Sequence, residues 1–102
     1  MASTDKIKLT GGLDKTVTWV WLENGYLMVE YYDFSDSAQR IFGNDIAYIL
    51  TVKGMSKLYS LTMRDEKSLI SWLVENFMDY FGIELWLKEN EIEFSIERES
   101  WA

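Results

Sequence analysis

The chain of 102 residues has no cysteine, no histidine and no proline, and only six glycines. Without cysteine there is no disulfide framework, no thiolate metal site and no cysteine nucleophile. Without histidine the commonest general base and the commonest nitrogen ligand for metals are both missing. The lack of proline removes polyproline II segments and rigid linkers. No stretch approaches the roughly 18 apolar residues of a membrane span, and Met1-Ala2-Ser3-Thr4-Asp5-Lys6 carries no apolar core of a signal peptide. A soluble, cytoplasmic protein that does not engage membranes is expected. An Asn-x-Ser/Thr site, a heptad run and a basic groove with interleaved aromatics are absent too, so glycosylation, coiled coil and single-strand nucleic-acid binding have no support.

What is present is apolar, aromatic and acidic. Hydrophobic residues make up 48 % of the chain, with five Trp, six Tyr and five Phe, in a length that suits one domain over residues 1–102. A domain of this size buries about 65 % of the surface its unfolded form exposes, enough for one core. Residues 1–5 are expected to be flexible. The net charge is −7, and residues 1–64 balance, with seven acids and seven bases, whereas residues 65–102 hold ten acids against Lys67, Lys88 and Arg98. A negative lobe repels phosphate backbones, so nucleic acid is not an expected partner, while a basic protein would be attracted and oriented by it. The plainer role of such a face is solubility.

Along the chain, Lys6 to Leu9 alternates briefly and Gly11-Gly12 marks a loop. Thr16 to Glu23, Asn24-Gly25 and Tyr26 to Asp33 form a hairpin signal, because Asn-Gly supplies the two positive-φ positions of a type I′ turn. That turn pairs Leu22 with Leu27 and Val20 with Val29 on one face, and Trp21 with Met28, Trp19 with Glu30 and Val17 with Tyr32 on the other. One face is aliphatic and the other aromatic. Ser35 reads as the cap of a short helix with Ala38, Ile41 and Phe42 on its apolar side, ended by Gly43. Asp45 to Lys53 and Leu58 to Met63 read as a second hairpin around Gly54, from the alternation of Ile46, Tyr48, Leu50 and Val52 and then of Tyr59, Leu61 and Met63. From the cap Asp65, the stripe Ile70, Leu73, Val74, Phe77, Met78, Phe81 predicts one helix over Glu66 to Phe81, broken at Gly82. Ile83, Trp86 and Leu87 predict a second short helix that Asn90 stops. Ile92, Phe94 and Ile96, alternating with Glu91, Glu93, Ser95 and Glu97, predict an edge strand with an acidic outer side.

Segregated runs of this kind predict an α+β fold: an antiparallel sheet of two β-hairpins plus a C-terminal strand, packed against one main amphipathic helix and short helices. Leu69, Ile70, Leu73, Phe77, Phe81, Val20, Leu22, Leu27, Val29, Leu50 and Ile96 are the expected core. Trp72, Trp86 and Trp101 are assigned to helix packing or a tail contact.

Candidate functional residues fall into two groups. Trp19, Trp21 and Tyr32, with Tyr26 and Met28 near them, make an aromatic patch larger than monomers usually leave exposed. Helices can cover it, or it serves as a homodimer seam, a partner site or a pocket wall for a small planar ligand. Glu89, Glu91, Glu93 and Glu97, with Glu84 and Glu99, form an acidic surface suited to a basic protein, or, at about 7 Å between alternate residues, to imitating a phosphate repeat. Asp33, Asp36, Asn44 and Asp45 lack the spacing of a calcium loop and are read as capping and turn residues, so no metal is expected. Gly11-Gly12 with Lys15-Thr16 lacks the glycine before lysine and the following helix of a phosphate loop. No serine sits in a nucleophile turn, and two-carboxylate chemistry requires a cleft that so short a chain rarely builds. No cofactor and no catalysis are expected. The expected function is that of a small acidic protein-binding domain, regulatory or inhibitory. The alternative is a small-molecule-binding domain with an aromatic-lined pocket between helix and sheet. In general character only, the small size, acidic end and short aromatic strands resemble small bacterial proteins of unknown function, inhibitors and immunity-type partners among them, with no residue motif that carries a property over.

Overall fold

A computed structural model describes residues 4–9, 11, 15–33 and 45–101. Five strands, β1 (Ile7–Lys8), β2 (Thr16–Glu23), β3 (Tyr26–Asp33), β4 (Asp45–Val52) and β5 (Phe94–Trp101), form one antiparallel sheet in the order β1-β2-β3-β4-β5. Between β4 and β5 the chain makes three helices, α1 (Met55–Thr62), α2 (Glu66–Asn76) and α3 (Tyr80–Glu89). The architecture is α+β. Among the described residues no helix is long and apolar enough to cross a membrane. The short helix expected after Ser35, together with Asp36 and Asn44, lies outside the described residues.

The first hairpin has the predicted register, with Leu22 opposite Leu27 and Trp21 opposite Met28. Asn24 and Gly25 adopt φ of 52° and 84°, the positive pair of a type I′ turn, whose twist matches that of the flanking strands. Because side chains alternate along a strand, one turn geometry sends Val20, Leu22, Leu27 and Val29 all to one face. That face is covered: these four join Leu50 and Val52 of β4, Leu58 of α1, Leu69 and Leu73 of α2, and Ile83 and Leu87 of α3 in one buried cluster. Complete burial of each such side chain contributes about 1.5–3 kcal/mol relative to exposure, before the entropy of ordering is set against it. Thr4 is tied to this hairpin: its N–H donates to the Leu22 carbonyl, and its Oγ1 accepts from the Leu22 N–H, both at 2.9 Å.

Three expectations are corrected. The second hairpin does not form, because residues 55–62 are helical. Met55, Leu58, Tyr59 and Thr62 follow the i, i+3, i+4, i+7 spacing, Leu58 is buried, and the Leu61 and Met63 of the supposed alternation are 48 % and 89 % exposed. The place beside β4 goes to β5, which starts where the carbonyl of Glu93 accepts from the N–H groups of Lys53 and Gly54.

Second, the long helix ends at Asn76. Phe77 is extended (φ −130°, ψ 145°), Asp79 caps a new helix by accepting from the Gly82 N–H at 3.0 Å, and Gly82 lies inside α3. Contacts from distant segments hold this break. The Gly11 N–H donates to the Met78 carbonyl, and the Tyr80 N–H donates to Oγ1 of the buried Thr18, both at 3.0 Å. Gly11 is required there, since a Cβ at that position would stand 2.5 Å from the Cβ of Met78.

Third, the core list changes. Phe81 and Ile96 are 44 % and 41 % exposed, while Ile70 and Phe77 are half-buried against the core. Phe77, Trp72 and Trp86 meet edge to face, with centroids 5.4 to 6.0 Å apart. The cap of α2 is as read: Asp65 accepts from the Ser68 N–H, and Ser68 Oγ accepts from the Asp65 N–H, a reciprocal capping box.

Candidate functional site

The residues chosen from sequence do not converge. Trp19, Trp21 and Tyr32 stand on the sheet face opposite the helices, as the hairpin period requires. Trp21 is only 6 % exposed, with the ammonium of Lys6 4.4 Å from its ring centroid and its own Nε1 donating to Glu23 at 3.3 Å. Lys6 also reaches Glu30 at 3.4 Å, so this face is laced by its own charges. Trp19 and Tyr32 are half-buried. Glu97 shares a rung with Trp19 through Glu30 and Ile49, three strand spacings away, roughly 14 Å.

Glu89, Glu91, Glu93 and Glu97 are exposed, but they do not form one strand face. Glu89 ends α3, Glu91 sits in the following turn at φ 55°, Glu93 precedes β5, and only Glu97 of these four is within the strand. The regular 7 Å spacing needed to imitate phosphates is therefore not present over Glu91, Glu93 and Glu97. Strand geometry begins too late in the chain.

A different set of side chains does converge. Tyr31 lies opposite Tyr48 across β3 and β4, on the helix-covered face. Asp33 is two residues on and so projects to the same face. Above them, the first turn of α3 sets down Tyr80, Phe81 and, one turn later, Glu84. The Thr18 hydroxyl that breaks the helix also fixes where this turn begins. Tyr31, Asp33, Tyr48, Tyr80, Phe81, Glu84 and Ile96 line a cavity of about 390 Å³.

The rings form a continuous wall. Tyr31 stacks on Tyr48 with centroids 6.0 Å apart, meets Tyr80 at 5.6 Å and takes the edge of Phe81 at 4.9 Å. Tyr80 lies 6.4 Å from Tyr48 and 5.4 Å from Phe81. Tyr80 is buried, Tyr48, Asp33 and Glu84 are half-buried, and Phe81 and Ile96 stand at the exposed margin.

Electrostatics at the wall are acidic. The Tyr31 hydroxyl donates to Asp33 Oδ2 at a long 3.5 Å. Burial, then the charge and hydrogen bond of Asp33, then Tyr48 and Asp79, push its pKa up to about 12. Burial first, and then Glu84 and Tyr48, also raise the Tyr80 hydroxyl above the ordinary tyrosine range. At neutral pH both are uncharged phenols that donate hydrogen bonds. Lys88 pairs with Glu84 at 3.3 Å from the solvent side, and Arg98 lies opposite Tyr48 in register, exposed on β5. Among the described residues no group of three or more acidic side chains is placed to hold a metal ion.

From the sequence, Asp33 reads as a capping and turn residue, Tyr48 as one position in an alternation and Phe81 as core, and neither Tyr31 nor Tyr80 stands out. The signal available was the hairpin period, which puts Tyr31 on the aliphatic face as its one aromatic member. Recognising it required the β3–β4 register and the break before Tyr80. Compared with known protein families, curated proteins and solved structures, the chain matches none.

Proposed function

We propose that this chain is a small-ligand-binding domain whose site is the cavity between α3 and the helix-covered face of the sheet. One observation carries the reading: three tyrosines, a phenylalanine and two carboxylates from elements far apart in sequence line a single cavity of about 390 Å³. Ligand sites are typically concave, largely apolar, 300–1,000 Å³ in volume, and furnished with a few polar groups that orient the ligand. Here the rings supply the apolar wall, and the Asp33 carboxylate, the Glu84 carboxylate and the phenol hydroxyls supply the orientation. Screening small aromatic and amine fragments by two-dimensional NMR tests this. Hits are expected to shift Tyr31, Tyr48 and Phe81 together and to lose affinity in Tyr48→Ala. Shifts confined to other surfaces overturn the reading.

A second reading, a basic protein partner at the acidic end, draws on the exposure of Glu89, Glu91, Glu93 and Glu97 around the start of the edge strand. Exposed charges of one sign accelerate and orient association in a salt-dependent way. A partner captured on immobilised protein at low salt, released as salt rises and lost in the Glu91→Lys, Glu93→Lys, Glu97→Lys variant supports it; retention independent of salt overturns it.

A further inference from the structure

We infer that the cavity selects a small organic cation, an amine or alkylated ammonium, over neutral and anionic molecules of the same shape. The inference rests on the cavity being a ligand site and adds the class of ligand. Its first ground is the wall itself. Tyr31, Tyr48, Tyr80 and Phe81 pack on one another at centroid distances of 4.9 to 6.4 Å, two of the contacts stacked, one tilted and two edge to face, and all four line the cavity that a ligand would enter. Aromatic faces carry the negative part of the ring quadrupole, and a cation within about 6 Å of a centroid is attracted to it, the more so as water is excluded. A neutral isostere gains the same contact area without that attraction.

The second ground is the charge around the wall. Asp33 and Glu84 line the cavity, and the charge of Asp79 reaches Tyr31. The cationic groups nearby are Lys88, committed to Glu84 at 3.3 Å, and Arg98 beside Tyr48 on β5. Acids outnumber bases in this set. An anion would face Asp33 and Glu84 at the lining and uncharged phenols on the wall, with Arg98 beside Tyr48 as a counter-charge. A cation finds the Asp33 carboxylate close to the ring of Tyr31, whose hydroxyl already donates to it. The same chemistry is used elsewhere on this molecule, where the ammonium of Lys6 sits 4.4 Å over Trp21 and that of Lys53 sits 5.2 Å over Tyr26.

The test compares choline with neohexyl alcohol, the isostere in which carbon replaces the charged nitrogen, by NMR titration of the full chain, beside the fragment set. Choline is expected to shift Tyr31, Tyr48 and Phe81 with an affinity about tenfold above that of neohexyl alcohol, and to weaken as salt rises. Phe81→Leu changes an exposed margin residue and is expected to narrow that ratio with little effect on the thermal midpoint. Tyr48→Phe keeps the ring and should preserve the ratio. Equal binding of the two probes at the cavity, or fragment binding there without choline, overturns the cation inference and leaves the ligand-site reading standing. If neither probe nor any fragment moves the cavity resonances, both fall.

Discussion

The helix-covered face of the sheet has two ends that differ in the side chains that meet there. At one, Leu22, Leu27 and Val52 meet Leu58, Leu69 and Leu73, and every one of these side chains is buried. At the other, Tyr31 and Tyr48 meet Tyr80 and Phe81, and a cavity remains. The strands and the face are the same, so the contrast comes from the side chains that meet there, aliphatic from sheet and helices at one end and aromatic from both at the other. Aliphatic side chains have no polar tip and interdigitate to full density. Tyrosine rings keep a hydroxyl that needs a partner, and their flat shape packs edge to face, which leaves a margin that Phe81 and Ile96 do not close. One end of the face packs its aliphatic side chains to full burial, and the other leaves an open aromatic cavity.

The comparison predicts that truncation separates the two ends. Leu73→Ala at the aliphatic end should cost about 2–5 kcal/mol of unfolding free energy in urea titration, because transfer and cavity terms add at a site that is 1 % exposed. Phe81→Ala should cost clearly less than Leu73→Ala while abolishing ligand shifts. Equal losses at both positions would erase the distinction.

Between the ends stand the contacts that place α3. Thr18→Val removes the acceptor for the Tyr80 N–H in a buried setting and should cost about 1–3 kcal/mol. Its sharper signature is loss of slow hydrogen exchange at Tyr80 while Leu73 stays protected. Gly11→Ala forces its new methyl against Met78, and should cost about 1–3 kcal/mol unless the loop withdraws. Rescue of Gly11→Ala by Met78→Gly, which removes the colliding Cβ, would confirm the collision.

The aromatic end should also be sensitive to base. The Tyr31 pKa is raised from the ordinary 10 to about 12, so the folded state holds its proton where the unfolded chain gives it up. The stability tied to this group is complete below about pH 10 and is lost as the pH rises through about 12. Tyr31→Phe should flatten that decline in base-induced unfolding, and Asp33→Asn should lower the Tyr31 value only in part, because burial is the larger cause. The smallest effect is expected at the α2 cap. Hydrogen bonds from Ser68 hold the Asp65 carboxyl below the usual carboxylate range, so its stabilisation is present above that range and is lost as the pH falls through the lowered value. Asp65→Ala should make the acid limb of a stability curve slightly less steep.

The same pair of ends separates what local signals reveal from what they do not. The buried end was largely readable: Val20, Leu22, Leu27, Val29, Leu50, Leu69 and Leu73 follow from strand and helix periods, and all are buried. The cavity was not. The alternation of Tyr59, Leu61 and Met63 competes with the helical spacing of Met55, Leu58, Tyr59 and Thr62, and in so short a run the two periods are not separable. The stripe from Ile70 to Phe81 runs through Phe77 with no glycine or proline to stop it, and Asp79, a residue favoured at caps, starts a new helix where Thr18 and Gly11 hold the break.

By itself the sequence determined the Asn24-Gly25 turn, the register of the first hairpin, its aliphatic and aromatic faces and the Asp65 cap, since each depends on φ preferences or periods within a few neighbouring residues. The tertiary structure alone decided that residues 55–62 are helical, that the chain breaks at Phe77 and that Tyr31 stands beside Tyr48 beneath Tyr80. Those outcomes rest on partners far along the chain: Glu93 for Gly54, Gly11 for Met78 and Thr18 for Tyr80. A buried backbone group must find a hydrogen-bond partner wherever the fold supplies one, and local propensity does not say which distant residue that is.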